Sequence, residues 1–384
     1  MVLAHTSVQG GMENKSDRLV FIDVARTYAV ILALLTHALE TINLFDQLGS
    51  DSVYIRQFTR MATPMFVFMF GFMVELVYVK RVEQKQSSVS KWLYIRSFQC
   101  YVAYALTSLS AYFGGYKTIE DVLASLVFLS NAHFGNILRV YCIILLLTPT
   151  IINIRIKHGI KSLYFFITLL LIVLFYLPPL QSFDFNLAGR PLNILFGIGN
   201  SLGGPSIVGA LVFYFSGMIA ASSLRSNSSK QLTFNFYKQT AILFIFFVIA
   251  GWVLISDTPK DAWTYFSDFT YRKHNAPAYF IIGTICSLIV ISTLAFIFER
   301  VKVPRFILYL LPIGTSSLIS YTLGNVILNI FGQYAEKLNL FLFLVLFLFS
   351  VVFITRHHHK IPFYQKIKGL MNLEYNKVFQ RTSG

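Results

Sequence analysis

Runs of 17 to 25 mostly apolar residues recur along this chain from Phe21 to Ile354, with short polar spacers between them. Each run is about the length of a helix that crosses the hydrocarbon core of a bilayer. In lipid every backbone N–H and C=O must find its partner internally, so the pattern predicts an all-α, polytopic integral membrane bundle. Composition agrees: 55% of the 384 residues are hydrophobic and 13% are charged, too few charges for a water-facing surface of this size. A two-domain soluble enzyme is excluded. The 38 Phe and 21 Tyr residues suit lipid-facing and interfacial positions. Cys100, Cys142 and Cys286 fall inside apolar runs without paired or metal-ligand spacing and read as small buried hydrophobes.

The runs predict ten transmembrane helices, at about 19–45, 58–79, 92–113, 135–155, 162–180, 205–224, 239–256, 278–299, 305–331 and 338–355. Residues 1–18 form a cytoplasmic N-terminal segment, 19–355 the transmembrane domain and 356–384 a basic cytoplasmic tail. Segments 119–130 and 191–199 are apolar but short, and are expected to be re-entrant or interfacial. The first helix is too long and too charged for a signal peptide, so it is expected to be retained. The formal charge of +15 orients the bundle and needs no nucleic-acid partner. With both termini inside, about 22 basic residues face the cytoplasm and about 9 face out, in agreement with the positive-inside rule.

The first helix carries the chemistry. Asp23, Arg26, His37 and Glu40 all lie within it, and ionisable groups at that depth normally face a bundle interior or a water-filled cavity. At about 100° per residue, the eleven-residue step from Arg26 to His37 closes to within roughly 20° of three turns, with a rise of about 16 Å. Asp23, Arg26 and His37 therefore share one stripe, with Glu40 one turn above His37. A structural Asp23–Arg26 ion pair beside a satisfied core histidine is the competing reading.

Arg18, Asp23, Arg26 and His37 resemble the first-helix signature of the membrane-bound acyltransferase family 3 proteins, a basic residue, a gap of ten residues and a histidine. Further resemblance lies in Phe66-Val-Phe-Met-Phe-Gly71-Phe, in Arg96 of Tyr94-Ile-Arg96-Ser-Phe, and in Gly314-Thr-Ser-Ser317-Leu-Ile-Ser-Tyr321. The chain departs from the family pattern at Thr27, where a small residue is usual, and in lacking a histidine in the late motif, where Gly324 and Asn325 follow Tyr321. The resemblance implies transfer of an acyl group from cytoplasmic acyl-CoA to a hydroxyl or amine on an extracytoplasmic glycan. The expected protein is an acetyl- or succinyltransferase of the cytoplasmic membrane, acting on a cell-envelope polysaccharide or glycolipid, with no tightly bound cofactor and no metal.

The residue chemistry fits that task. His37 is of the right type to act as general base, with Glu40 to orient it. Arg26 is placed to hold the CoA pyrophosphate or pantetheine, with Asp23 fixing its guanidinium. Arg18, Lys91 and Arg96 are candidates for the donor phosphates, although Lys80, Arg81, Lys85 and Lys91 equally fit a plain topology signal. His133, Arg139 and Tyr321 are the candidate acceptor residues, joined by Asn136 and Arg190; Arg139 also fits a headgroup anchor. Glu75 is expected to pair with an arginine. The outer loop Asp257 to His274 suits an acceptor rim or an ordinary solvated loop, and His357-His358-His359 suits lipid headgroups better than a metal. A transporter with a buried Asp/Arg/His pathway is the alternative from another class.

Overall fold

The structure is a computed structural model that describes residues 19–86, 88–177, 186–198, 205–225, 229–268, 270–337 and 340–357. Among these the chain is helical throughout, with no strand. The long helices are α1 (Val20–Thr41), α2 (Ser52–Glu83), α3 (Val89–Phe113), α4 (Asn136–His158), α5 (Lys161–Tyr176), α6 (Ile207–Ser222), α7 (Ser229–Leu254), α8 (Pro277–Arg300), α9 (Arg305–Thr315), α10 (Ser317–Phe331) and α11 (Leu340–His357). Over its described residues each of the ten expected runs is largely helical. By length and composition, six helices among the described residues can cross a membrane, or seven if the bent pair α9–α10 is one span. The helices α5 and α6 are shorter, and α3 carries Lys91, Arg96, Gln99 and four serines in its 25 residues.

Burial ranks the helices. The apolar windows of α1 and α2 are each 67% buried, against 17% for α7 and 28% for α11, which places the first two at the centre and the last two at the periphery. The α1 helix packs on α2, α8, α9 and α10, so the charged stripe lies in the interior. Glycine lets α2 and α6 cross closely: a Cβ on Gly71 of α2 would lie 1.9 Å from the Tyr214 carbonyl oxygen, and one on Gly217 of α6 equally close to that of Phe68. Larger residues there would force the helices apart.

The run expected as one helix at 305–331 is instead broken at Ser316, where α9 and α10 meet at 88°. Pro312 removes a backbone donor, and Gly314 lies so tightly against α1 that a Cβ would sit 2.5 Å from the Thr27 nitrogen. A break at this depth needs its freed carbonyls satisfied. Ser320 Oγ donates to the Ile313 carbonyl at 3.0 Å, and Arg26 Nη2 approaches the Thr315 carbonyl at 3.5 Å. Segment 119–130 contains the short helix Ile119–Leu126, and the short helix Asn186–Phe196 runs into the described part of segment 191–199. Buried Glu75 pairs with Arg155 at 2.9 Å, as its position in an apolar run demands.

Candidate functional site

His37 on α1 meets Phe134, from the loop before α4, and Tyr321 and Asn325 of α10. Its ring stacks on Phe134 at 4.4 Å between centroids and meets the edge of Tyr321 at 5.8 Å. Phe134 has φ of +59°, a left-handed conformation that costs an aromatic residue energy. Two hydrogen bonds hold its carbonyl there, from Tyr321 Oη at 2.8 Å and from Asn325 Nδ2 at 3.2 Å.

The second of those bonds sets the tautomer of the histidine. Because Asn325 Nδ2 is the donor to Phe134, Oδ1 is the amide end that faces His37 Nδ1, at 2.7 Å. An amide oxygen only accepts, so a neutral His37 carries its proton on Nδ1 and presents a basic lone pair on Nε2. Among the described residues Asn325 is the one hydrogen-bond partner of that ring, and Nε2 is left open. The hydrogen bond to His37 expected of Glu40 is therefore made by Asn325. Glu40 instead faces Arg60 of α2, 3.4 Å away, and acts on His37 only through its charge.

The arrangement repeats one turn along α10. His133 Nδ1 meets Asn329 Oδ1 at 2.8 Å, while Asn329 Nδ2 donates to the Thr107 carbonyl at 3.0 Å and to Ser110 Oγ at 2.9 Å. His133 is sandwiched between Tyr116 and Phe134, with centroids at 4.6 and 3.9 Å. Burial pushes its imidazole below the ordinary histidine value, and the Asn329 hydrogen bond partly opposes this. Of the three candidate acceptor residues, His133 and Tyr321 thus converge around Phe134 beside His37. Arg139 is 2% exposed and lies against Tyr104, so it is an interior residue and no headgroup anchor.

On the other side of the stripe, Arg26 and Asp23 form an ion pair at 3.9 Å. Arg26 Nη2 also reaches Ser317 Oγ at 3.4 Å, which seats the guanidinium at the α9–α10 break. An aromatic wall runs from there toward His37. Tyr141 lies within electrostatic reach of both Arg26 and Tyr321, stacks on Phe70 at 4.4 Å and meets Phe66, which meets Tyr321 at 5.4 Å. Tyr141 Oη donates to the Phe66 carbonyl at 2.6 Å. Of the other donor candidates, Arg96 bonds Gln99 at 2.9 Å, Lys91 is exposed, and Arg18 lies outside the described residues. A pocket of about 260 Å³ between α2, α3 and α4 is lined by Lys85, Ser90 and Asn153 among others. Among the described residues no group of three His, Cys, Asp or Glu side chains could hold a metal ion.

Sequence reasoning passed over Asn325, Asn329 and Arg60. Their signals were present: Tyr321, Asn325 and Asn329 recur every fourth residue in an apolar helix, and Arg60 sits inside the second apolar run. No significant match occurs among curated proteins or solved structures. The family model described as an acyltransferase domain matches residues 19–355, a range that takes in His37, Arg26, both asparagines and every described helix up to the last turn of α11, and the chain accordingly belongs to acyltransferase family 3.

Proposed function

We propose that this membrane acyltransferase moves an acetyl or succinyl group from cytoplasmic acyl-CoA to a hydroxyl of a cell-envelope polysaccharide or glycolipid, across the cytoplasmic membrane. The observation that carries this is the open Nε2 of His37, fixed by Asn325 and set on the same helix face as Arg26. In the transfer, His37 Nε2 accepts the proton of the acceptor hydroxyl as its oxygen attacks the thioester carbonyl carbon. The tetrahedral intermediate expels the CoA thiolate, the C–S bond breaks, and the imidazolium returns its proton to sulfur. Asn325 Oδ1 supports the imidazolium through Nδ1–H, the part played by the third member of a catalytic triad.

Donor length fits donor path. The phosphopantetheine arm, with its two amide units, equals about five residues of extended chain, or roughly 16–18 Å. The rise from Arg26 to His37 is about 16 Å. A pyrophosphate held near Arg26 would therefore place its thioester at His37, with the arm along Tyr141, Phe66 and Tyr321. Lys91, Arg96 and Arg18 serve the phosphates nearer the cytoplasm. This reading needs ten crossings with both termini inside, supported by the loop charges. His133 and Tyr321 face the acceptor.

The test is ligand stabilisation. A donor that binds the folded state raises its stability by RT ln(1 + [L]/Kd), about 2.7 kcal/mol at a hundredfold excess over Kd. Acetyl-CoA or succinyl-CoA is expected to raise the melting temperature of the purified protein, Arg26→Ala to weaken that rise, and Lys360→Ala to leave it unchanged. No shift with any acyl-CoA would contradict the proposal.

A further inference from the structure

The pocket of about 260 Å³ between α2, α3 and α4 stands apart from the His37 stripe. Buried Val89, Leu93 and Ile152 give it an apolar floor, and the exposed Lys85, Gln86, Ser90 and Asn153 give it a polar rim. None of the four rim side chains makes a hydrogen bond or ion pair with another described residue. Asn153 interrupts the apolar run Ile151-Ile152-Asn153-Ile154 of α4. Lys85 has φ of +58° in the turn between α2 and α3, a left-handed conformation that glycine adopts freely and lysine adopts at a cost. An apolar floor below a few hydrogen-bonding groups is the make-up of a ligand site, and sites that enclose a whole drug-sized ligand measure roughly 300–1,000 Å³. The smaller volume here suits one ring system of a larger ligand.

Its depth in the bundle says which ligand. Tyr141 of α4 lies within electrostatic reach of Arg26 and of Cys100 on α3. Toward the end of the bundle that loop charge assigns to the cytoplasm, Pro149 of the pocket is eight residues beyond Tyr141 and Leu93 seven beyond Cys100, rises of about 12 and 10 Å. From a pyrophosphate through its ribose to the far edge of a purine is about ten bonds, roughly 12 Å when extended. We infer that the pocket receives the adenine base of the acyl-CoA donor. The inference rests on the acyl-CoA reading and gives the donor a second anchor beyond Arg26. A carboxamide carries donor and acceptor side by side and meets the N6 and N7 edge of adenine in bidentate fashion; Gln86 and Asn153 supply two, and the apolar floor covers the face of the base. Lys85 meets the phosphate on the ribose as a point charge. Binding energy from this remote part of the donor serves to hold the thioester at His37.

The test uses the full chain in lipid nanodiscs, with acetyl-CoA, acetyl-pantetheine, ATP and the 3′,5′-bisphosphates of adenosine and guanosine as probes and thermal stabilisation as the readout. Adenosine 3′,5′-bisphosphate is expected to compete with acetyl-CoA and to act at concentrations on the order of tenfold below its guanosine counterpart, the worth of one bidentate base contact. Gln86→Ala and Asn153→Ala, both at exposed positions, should each weaken the response to acetyl-CoA by a similar factor and leave the response to acetyl-pantetheine, which lacks the nucleotide, unchanged. Equal response to the two bisphosphates, or an acetyl-CoA response untouched by both variants, would overturn the inference and leave the acyl-CoA reading standing. Stabilisation by ATP that adds to that of acetyl-CoA, instead of competing with it, would assign the pocket to a free nucleotide and overturn the inference as well. No stabilisation by either thioester would remove the acyl-CoA reading, and the inference with it.

Discussion

Replacing Asn325 with alanine removes the acceptor that fixes the His37 tautomer without removing the base itself. The 2.7 Å bond joins two interior neutral groups, and such a bond is worth about 1–1.5 kcal/mol, or roughly tenfold in kcat/KM. Loss of the general base, in His37→Ala, should cost about 10²–10⁴-fold. The Phe134 carbonyl keeps its hydrogen bond from Tyr321 at 2.8 Å, so Asn325→Ala orphans no backbone group there, and its stability loss should stay within about 1–3 kcal/mol. The two residues act as a unit, so their effects should not add. With the protein in nanodiscs and transfer of labelled acyl groups as the assay, Asn325→Ala should cost about tenfold in the wild-type background and nothing further in His37→Ala. Asn325→Asp, which keeps an acceptor on Nδ1, should recover most of the loss. The same tenfold loss in both backgrounds, at matched melting temperature, would refute the dyad.

Glu75→Gln should leave Arg155 buried without its countercharge and cost about 3–5 kcal/mol of stability, while transfer per folded molecule stays at the wild-type level; a selective loss of rate would contradict the structural role of the 2.9 Å pair. Because burial holds the folded His133 below its unfolded value near 6.5, the unfolded chain binds the extra proton as pH falls. That contribution to stability is present above about pH 6.5 and is lost below it by up to about 1.4 kcal/mol per pH unit; His133→Gln should flatten the acid limb of a melting-temperature profile, and an unchanged slope would contradict the assignment. Cysteine at exposed Gln84 should resist an impermeant thiol reagent in intact cells and cysteine at exposed Lys260 should react, on a background lacking Cys100, Cys142 and Cys286; the reverse pattern would invert the proposed orientation.

Much of the helical bundle was legible because apolar length is a one-dimensional property. The Asp23–Arg26–His37 stripe was legible for the same reason, since helical periodicity places residues of one helix without reference to any other. What stayed hidden was three-dimensional. His37 looked to Glu40, three residues on, because sequence displays neighbours along a helix; its partner is Asn325, 288 positions away. Glu40 instead pairs with Arg60, an arginine inside the second apolar run. The break at Ser316 was announced by Pro312 and Gly314, but the apolar run continued through it and masked the 88° turn. Arg139 read as interfacial from its place at a helix start, yet packing buries it to 2%.

The proposed chemistry is transfer through His37 to a glycan of the envelope. Mass spectrometry of envelope glycans from cells lacking the gene, carrying the wild-type gene, or carrying His37→Gln at equal amounts of folded protein measures that directly. An acyl modification present with the wild type and absent from both other strains is the predicted result. Acylation restored by His37→Gln, or unchanged across all three strains, would contradict it.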